Sequence, residues 1–312
     1  MRKPTVAKKT KILPRRCCGT MESHNRLLER TPGYRQILGD LETASRAKGV
    51  QTFSTPVTIP VVVHVLYRTA KENISDAQIR SQIDVLNADY QASNPDKAKV
   101  PGVWSNLLID SKIRFALATR TPLGKKTNGI VRKKTTRSQF LADDGVKSSK
   151  TGGANPWPSN RFLNIWACSL GDGLLGYAQF PGGPAATDGV VILNTAFGNT
   201  GTAKPPFGLG RTATHEVGHW LNLRHIWGDT DDCTGSDFVA DTPGQQHPNR
   251  ASPVFPHVSC NNAPNGDMFM NYMDYVDDSA MVMFTRGQVA RMHATLETAR
   301  SSFMAAEVMP TG

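Results

Sequence analysis

The sequence predicts a mixed α/β fold, a twisted five-stranded sheet packed on three principal helices. Three observations carry that expectation. Residues 59–67 (IPVVVHVLY) form a short, valine-rich apolar run, the pattern of a strand buried on both faces. Residues 74–91 (ISDAQIRSQIDVLNADYQ) follow with Ile79, Ile83, Val85, Leu86 and Tyr90 at helical spacing, behind Ser75 as an N-cap. From there short strand-like runs and helical patterns succeed one another to residue 301, which calls for helices layered on a sheet.

The elements read in order as follows. Residues 1–52 form a basic segment of their own, partly helical where residues 25–49 carry an amphipathic pattern. Residues 53–300 make the α/β body. Within it, residues 113–119 alternate like a strand and residues 162–168 (FLNIWAC) read as another. GLLGYAQF (173–180) and GVVILN (189–194) are strand-like and are split by the turn-rich PGGPAATD. Arg132, Lys133, Lys134 and Arg137 sit in a polar stretch after Asn128-Gly129 and read as a solvated loop. Residues 214–229 hold a helix, a long loop region follows, and residues 284–301 close as a helix. Residues 301–312 read as a frayed tail.

The formal net charge is +10 over 312 residues, and it is unevenly spread. Residues 1–50 carry twelve Lys/Arg against four acids, a net +8, which leaves only +2 for the rest. No aromatic residues interleave the early charges, so a nucleic-acid partner is not expected. No apolar run approaches the roughly 18–20 residues of a membrane helix, so no membrane partner is expected either. The start, MRKPTVAKKTKILPRR, is basic like a secretory signal but has no apolar run behind it, so no signal peptide is visible.

The chemistry concentrates in THEVGHWLNLRHIWGD (214–229). His215 and His219 lie four apart and share one helix face; Glu216 lies on the adjoining face, within reach of a water held at that pair. Neutral imidazoles suit Zn²⁺, and an open catalytic site takes three protein ligands and a water. For the third ligand the later glutamates are only Glu297 and Glu307; His225 is the better candidate, provided the helix stops before it. Asn222 is the position for that stop, since Asn is the commonest substitute for Gly at positive φ. Buried core histidines are the alternative, and that reading suits His64 and His293.

HEVGHWLNLRH resembles the long zinc motif of the metzincin endopeptidases, and most closely that of the pappalysin family. The likeness extends over TIPVVVHVLYRTAKENISDAQIRSQIDVLNADY, FLNIWACSL, GLLGYAQFPGGPAATDGVVI, VADTP and MFMNYMDY, most of residues 57–300; the departure is Asn222, where the family has Gly. The resemblance implies a metzincin-like zincin with the zinc helix at a cleft and a loop-rich C-terminal subdomain. It implies a zinc-dependent endopeptidase with His215, His219 and His225 as ligands and Glu216 as general base and acid. Met273 would be the methionine of the turn beneath the metal, and Tyr275 a donor to the developing oxyanion. Residues 176–178 (Gly176, Tyr177, Ala178) would be the edge strand on which an extended substrate binds by strand addition. GDGLLG at 171–176 spells a dinucleotide fingerprint, but the following YAQFPGGPAATDG cannot open the helix that fingerprint needs.

Other expectations come with the resemblance. Cys233 and Cys260 would form a disulfide; a second family disulfide is lost here, with Ala280 at one of its positions. Asp229, Asp231, Asp232, Asp237 and Asp241 crowd one loop, oxygen ligands that suit Ca²⁺, with Asp241 the one assigned to it. RRCCGT (15–20) resembles the Arg-x-Cys-Gly stretch of family prosegments, so Cys18 would hold the fourth zinc position in a latent zymogen whose segment is removed near residues 46–54. Some relatives prefer basic residues after the cut through an acid near the methionine turn; Ser279 reads as that position, so the preference is not carried over. The substrate would be peptide or protein, the enzyme a monomer, and the chain secreted. The rival class is a catalytically silent zinc protein that binds partners; the intact Glu216 argues against it.

Overall fold

In the computed structural model, residues 15–49 and 51–304 are described; residues 1–14, with five of the early basic charges, and 305–312 of the expected tail lie outside them. Strand β1 (Val57–Tyr67) is the spine, eleven residues long and buried through its centre. Its length lets one side serve two partners. Its first half pairs in parallel with β2 (Ile113–Leu117), from Val57 opposite Ile113 to Val61 opposite Leu117. Its second half pairs in parallel with β3 (Ile130–Lys134). On the other side lies β4 (Leu163–Cys168), then β6 (Val190–Leu193), both parallel, and at the edge β5 (Gly176–Ala178), antiparallel to β6.

The sheet therefore has six strands rather than five. The extra one is β3, IVRKK, which includes three of the basic residues expected in a loop. Charged side chains do not prevent a strand at an edge, where they discourage pairing with another chain. Arg132 pairs with Asp76 and bonds the Ile74 carbonyl, while Lys133 bonds the Gly153 carbonyl, so the cluster is tethered to its neighbours.

One face of the sheet packs on α3 (Asp76–Tyr90), α4 (Arg211–Trp220) and α5 (Arg286–Glu297) through a single large core. Ser75 caps α3, its hydroxyl accepting from Gln78 N at 3.1 Å. Thr285 and Gln288 cap α5 reciprocally. The other face is covered by residues 140–154, whose Phe140 and Val146 pack on Leu66, Trp166 and Tyr177. His64 is a core residue, bonded to Asn164 and stacked on Trp166. His293 is buried likewise, its Nε2 2.6 Å from the Ser111 carbonyl. Ahead of the body, α1 (Thr20–Arg30) lies on β5, and α2 (Tyr34–Lys48) lies on α5 with Glu42 2.7 Å from Arg291.

Between α4 and α5 the chain is mostly loop, with a short parallel ladder of β7 (Arg250–Ala251) and β8 (Tyr275–Val276) and the Cys233–Cys260 disulfide. At the end, residues 301–304 are not frayed: they form a turn that buries Phe303 against Trp220. No helix among the described residues is long and apolar enough to cross a membrane.

Candidate metal centre

All ten residues of α4 are buried, so each of its histidines needs a partner for every polar atom. His215 Nδ1 lies 2.7 Å from the Tyr272 carbonyl, and His219 Nδ1 lies 2.7 Å from the Leu223 carbonyl. A carbonyl only accepts, so both Nδ1 atoms carry the proton and both Nε2 lone pairs are bare. Burial, then the neighbouring imidazoles, drives both rings well below the ordinary histidine pKa, so they are neutral.

The helix stops where the sequence required. Asn222 takes φ +74°, its N–H bonds the His219 carbonyl, and the Leu223 N–H bonds the Gly218 carbonyl, a Schellman end with Asn in the left-handed position. The reversal brings His225 back, with its Nε2 3.1 Å from His219 Nε2, which is itself 3.1 Å from His215 Nε2. His225 is oriented through Nδ1 by Asp229, 2.5 Å away. Bare lone pairs this close repel unless a cation lies between them. Tetrahedral ligands about 2.05 Å from a zinc ion stand about 3.3 Å apart, so the donor set fits zinc.

Cys18 completes the group: its Sγ and one ring nitrogen of each histidine all lie within 4.8 Å of one another. Burial, then the Glu216 carboxylate, pushes its thiol well above the ordinary range, so only a cation at the imidazoles would hold it as thiolate. The segment is fixed as an added strand: Gly19 N donates to Gly176 O (2.9 Å) and Leu175 N to Cys17 O (2.9 Å). Thr20 Oγ1 accepts from Ala178 N (2.8 Å) and donates to Glu216 Oε2 (2.9 Å). Tyr177 points away from this edge, fully buried on the opposite face.

Glu216 is enclosed, and burial pushes its carboxyl up to about 7 against the Thr20 and Cys18 hydrogen bonds. Two glycines permit the approach. A Cβ on Gly176 would stand 2.9 Å from Glu216 Cγ, and one on Gly218 would stand 2.6 Å from Met273 Sδ. Met273 thus lies directly under the zinc helix, buried, in a turn fixed by Asn271 Oδ1 on its N–H. The Tyr275 ring stacks edge-on to His225 and its hydroxyl donates to the Cys18 carbonyl at 3.5 Å.

Sequence reasoning missed two residues. One is Asp229, which it counted only as part of an acidic loop. The other is Asp278. Arg16 buries its guanidinium against the Asp278 carboxylate, with Nε on the Val276 carbonyl (3.1 Å) and Nη1 on Thr212 Oγ1 (3.1 Å). Ser279, taken as the position of the specificity acid, is exposed, and its carbonyl accepts from Lys99. The short turn Asp278–Ala280 aims the side chain one residue earlier inward.

The acidic loop does not converge on one point. Asp241 accepts from Thr285 Oγ1 (2.6 Å) and Gly287 N (2.8 Å) and so caps α5; Asp232 bonds Thr234; Asp229 serves His225. Asp237 is the buried one, bonded by the Thr242 hydroxyl and Val239 N, and burial pushes it up to about 7.

The family model described as "Pregnancy-associated plasma protein-A" matches residues 147–297. An extracellular metalloprotease of Pyricularia oryzae is 32% identical over 285 residues, which cover 88% of this chain and 86% of that protein. The structure of a mutant of promirolysin from Tannerella forsythia is 46% identical with a TM-score of 0.86, covering 93% of this chain and 96% of its own. Mature mirolysin of the same organism, in complex with a cleaved peptide, is 50% identical with a TM-score of 0.79 over 82% of this chain and 97% of its own. With the motif, the fold and these relatives in agreement, the chain belongs to the pappalysin family of metzincin metalloendopeptidases.

Proposed function

We propose that this protein is a secreted zinc endopeptidase made in a latent form, with residues 1–52 as prosegment and 53–300 as catalytic domain. The observation that carries the proposal is the convergence of His215, His219, His225 and Cys18 on one point beside Glu216. His215, His219 and His225 would hold the zinc, and Cys18 would block it until the segment is removed. Zinc supplies Lewis acidity toward the attacking water and the scissile carbonyl. Glu216 then takes the proton from the attacking water and delivers it to the leaving amine. Tyr275, freed from the Cys18 carbonyl, donates its hydroxyl to the oxyanion. Asp229 and the Tyr272 and Leu223 carbonyls keep the ligand tautomers correct. The Gly176 carbonyl and the Leu175 and Ala178 N–H groups, now used by the segment, receive the substrate main chain.

Arg16 supports a specificity. Its pocket closes on a guanidinium with a buried carboxylate, a hydroxyl and a carbonyl, so the pocket of Asp278 accepts an arginine side chain, in the position after the cut. By the same preference Arg46, which is exposed near the end of α2, marks a bond the enzyme can cut in its own segment. The larger share of the chain matched by promirolysin than by mature mirolysin is consistent with that division. For calcium the candidate in the loop is the buried Asp237, although its oxygens, like those of Asp241, already accept hydrogen bonds. The enzyme is taken as a monomer acting on peptide or protein; the charge, +8 over residues 1–50 and only +2 over the rest, supports a partner other than nucleic acid.

The test is hydrolysis of a quenched peptide library by the full-length chain and by its processed form, with zinc, with chelator, and with Glu216→Ala. Activity that appears on processing, needs zinc and vanishes in the variant is the expected result. Zinc-loaded, processed protein that cleaves nothing would overturn the proposal.

A further inference from the structure

The inhibitory segment grips the cleft at a second arginine, which the reading above leaves unused. Eight residues past Cys18, Arg26 leaves α1 and reaches residues 142–144. One guanidinium nitrogen donates to the Ala142 carbonyl; another lies 2.6 Å from Asp144 Oδ2 and 3.2 Å from Ser23 Oγ. These acceptors stand in the wall of the cleft. A Cβ on Gly19 would lie 2.8 Å from Ala142 Cβ and 3.3 Å from Tyr177 Cβ. Gly19 directly follows the residue at the metal centre and bonds Gly176 O, so any chain added to the edge of β5 passes Ala142 within a residue of the centre.

The corner is rigid. Asp144 sits in the left-handed region at φ +64°, its side chain 12% exposed, with Oδ1 2.8 Å from Lys147 Nζ. Lys147 is wholly buried, donates to the Thr187 carbonyl at 2.7 Å, and holds its ammonium 4.9 Å from the Tyr177 ring centre. Lys147 cancels one of two negative charges there. The other is Asp143, exposed, whose Oδ1 accepts from Gly145 N. Counting Asp143, Asp144 and Lys147, the corner carries −1, and Arg26 brings it to zero. When the segment leaves, a net negative corner with a free carbonyl acceptor opens onto the cleft.

We infer that the Ala142 carbonyl and Asp144 form a second basic subsite, which selects substrates carrying arginine or lysine upstream of the bond cut. Arg16 precedes Cys18 in the segment and Arg26 follows it, so the Asp278 pocket and the 142–144 corner are engaged from opposite ends of the residue at the metal centre, and the enzyme reads basic side chains on both sides of the scissile bond. This rests on the peptidase function proposed above. A guanidinium suits it better than an ammonium, since two acceptors at different angles match a planar fork.

The test uses the full-length chain after its own processing and quenched peptides with arginine fixed after the cut. Each of the three positions before the cut carries in turn Arg, Gln or Glu. The readout is the ratio of kcat/KM for Arg over Gln within one protein preparation, so partly folded protein cancels. Arg should exceed Gln about tenfold at one of the three positions, and Glu should fall below Gln. Asp144→Asn should bring that ratio near one while the preference for arginine after the cut persists. Should that variant not fold, because Lys147 loses its partner, Asp143→Asn must still lower the ratio about threefold. An Arg/Gln ratio of one at all three positions, or a ratio unmoved by these substitutions, overturns the inference. Failure to cleave any peptide would instead overturn the peptidase function on which it rests.

Discussion

Replacing Arg16 by alanine should make the intact chain leak activity, and the size of the leak follows from the pocket. The guanidinium is 1% exposed and its partner Asp278 is fully buried. It makes one ionic and two neutral-acceptor hydrogen bonds, to Asp278, Thr212 and Val276. Cutting one partner from a dry buried pair costs about 3–5 kcal/mol. Here the pocket opens to the cleft, and Asp278 keeps the N–H groups of Leu209 (2.8 Å) and Arg211 (3.3 Å), so water can fill the gap. The loss is then about 2–4 kcal/mol, which weakens docking of the segment about 30- to 1000-fold. Arg16→Lys, which keeps the charge but not the fork, should fall between. The assay is the initial rate of peptide hydrolysis by chains kept uncut, checked on a gel, alongside the rate of Cys18 alkylation. If Arg16→Ala stays as silent as the parent and its Cys18 reacts no faster, the pocket does not hold the segment closed.

Three further outcomes are expected. In the processed enzyme, Asp278→Asn should lower kcat/KM for arginine after the cut about 10- to 100-fold relative to a neutral residue; equal losses for both would refute the pocket's role. Asn222→Gly removes a left-handed non-glycine residue and a buried Nδ2 with no partner among the described residues, so chemical denaturation should give about 0.5–1 kcal/mol more stability, and a loss would refute the strain argument. Asp237 has a folded pKa of about 7, above its ordinary 3.8, so it is protonated below that pH and burial of its charge destabilises the fold as pH rises through the window. Calcium at Asp237 should therefore raise Tm near about pH 8 and lose that effect near about pH 5.5; a pH-independent calcium shift would remove Asp237 from the site.

What the sequence disclosed is what local chemistry dictates. The strand at 57–67 and the helix at 76–90 carry their own periodicity, and three imidazoles with a glutamate have few uses other than a metal. Residues 130–134 were illegible because two β-branched residues followed by three basic ones are too short a signal for a strand; the second half of β1 makes it one, through a contact more than sixty residues away. The acidic loop was legible as acidic but not as divided. Whether an aspartate orients a ligand, like Asp229, or caps a helix, like Asp241, depends on turns of the chain that its neighbours do not encode. Asp278 was missed by a single position for the same reason: a three-residue turn decides which of Asp277, Asp278 and Ser279 faces the pocket.

The segment and the substrate compete for one set of groups, and this couples latency to specificity. Asp278, the edge of β5, Glu216 and the 142–144 corner all hold residues 16–26, and on the function proposed above the same groups would face a peptide once the segment has gone. A substitution on the enzyme side therefore cannot loosen the lock without also weakening substrate binding through the same contact. On the processing proposed above, substitutions in residues 16–26 would carry no such penalty, because that part would be discarded. Cys17 lies between two residues committed to the cleft, its carbonyl tied to Leu175 and its side chain turned to the apolar cluster around Tyr177. The strength of the lock could thus be tuned from Arg16, over about 30- to 1000-fold, and from Arg26, over about tenfold, with the processed enzyme left as it is.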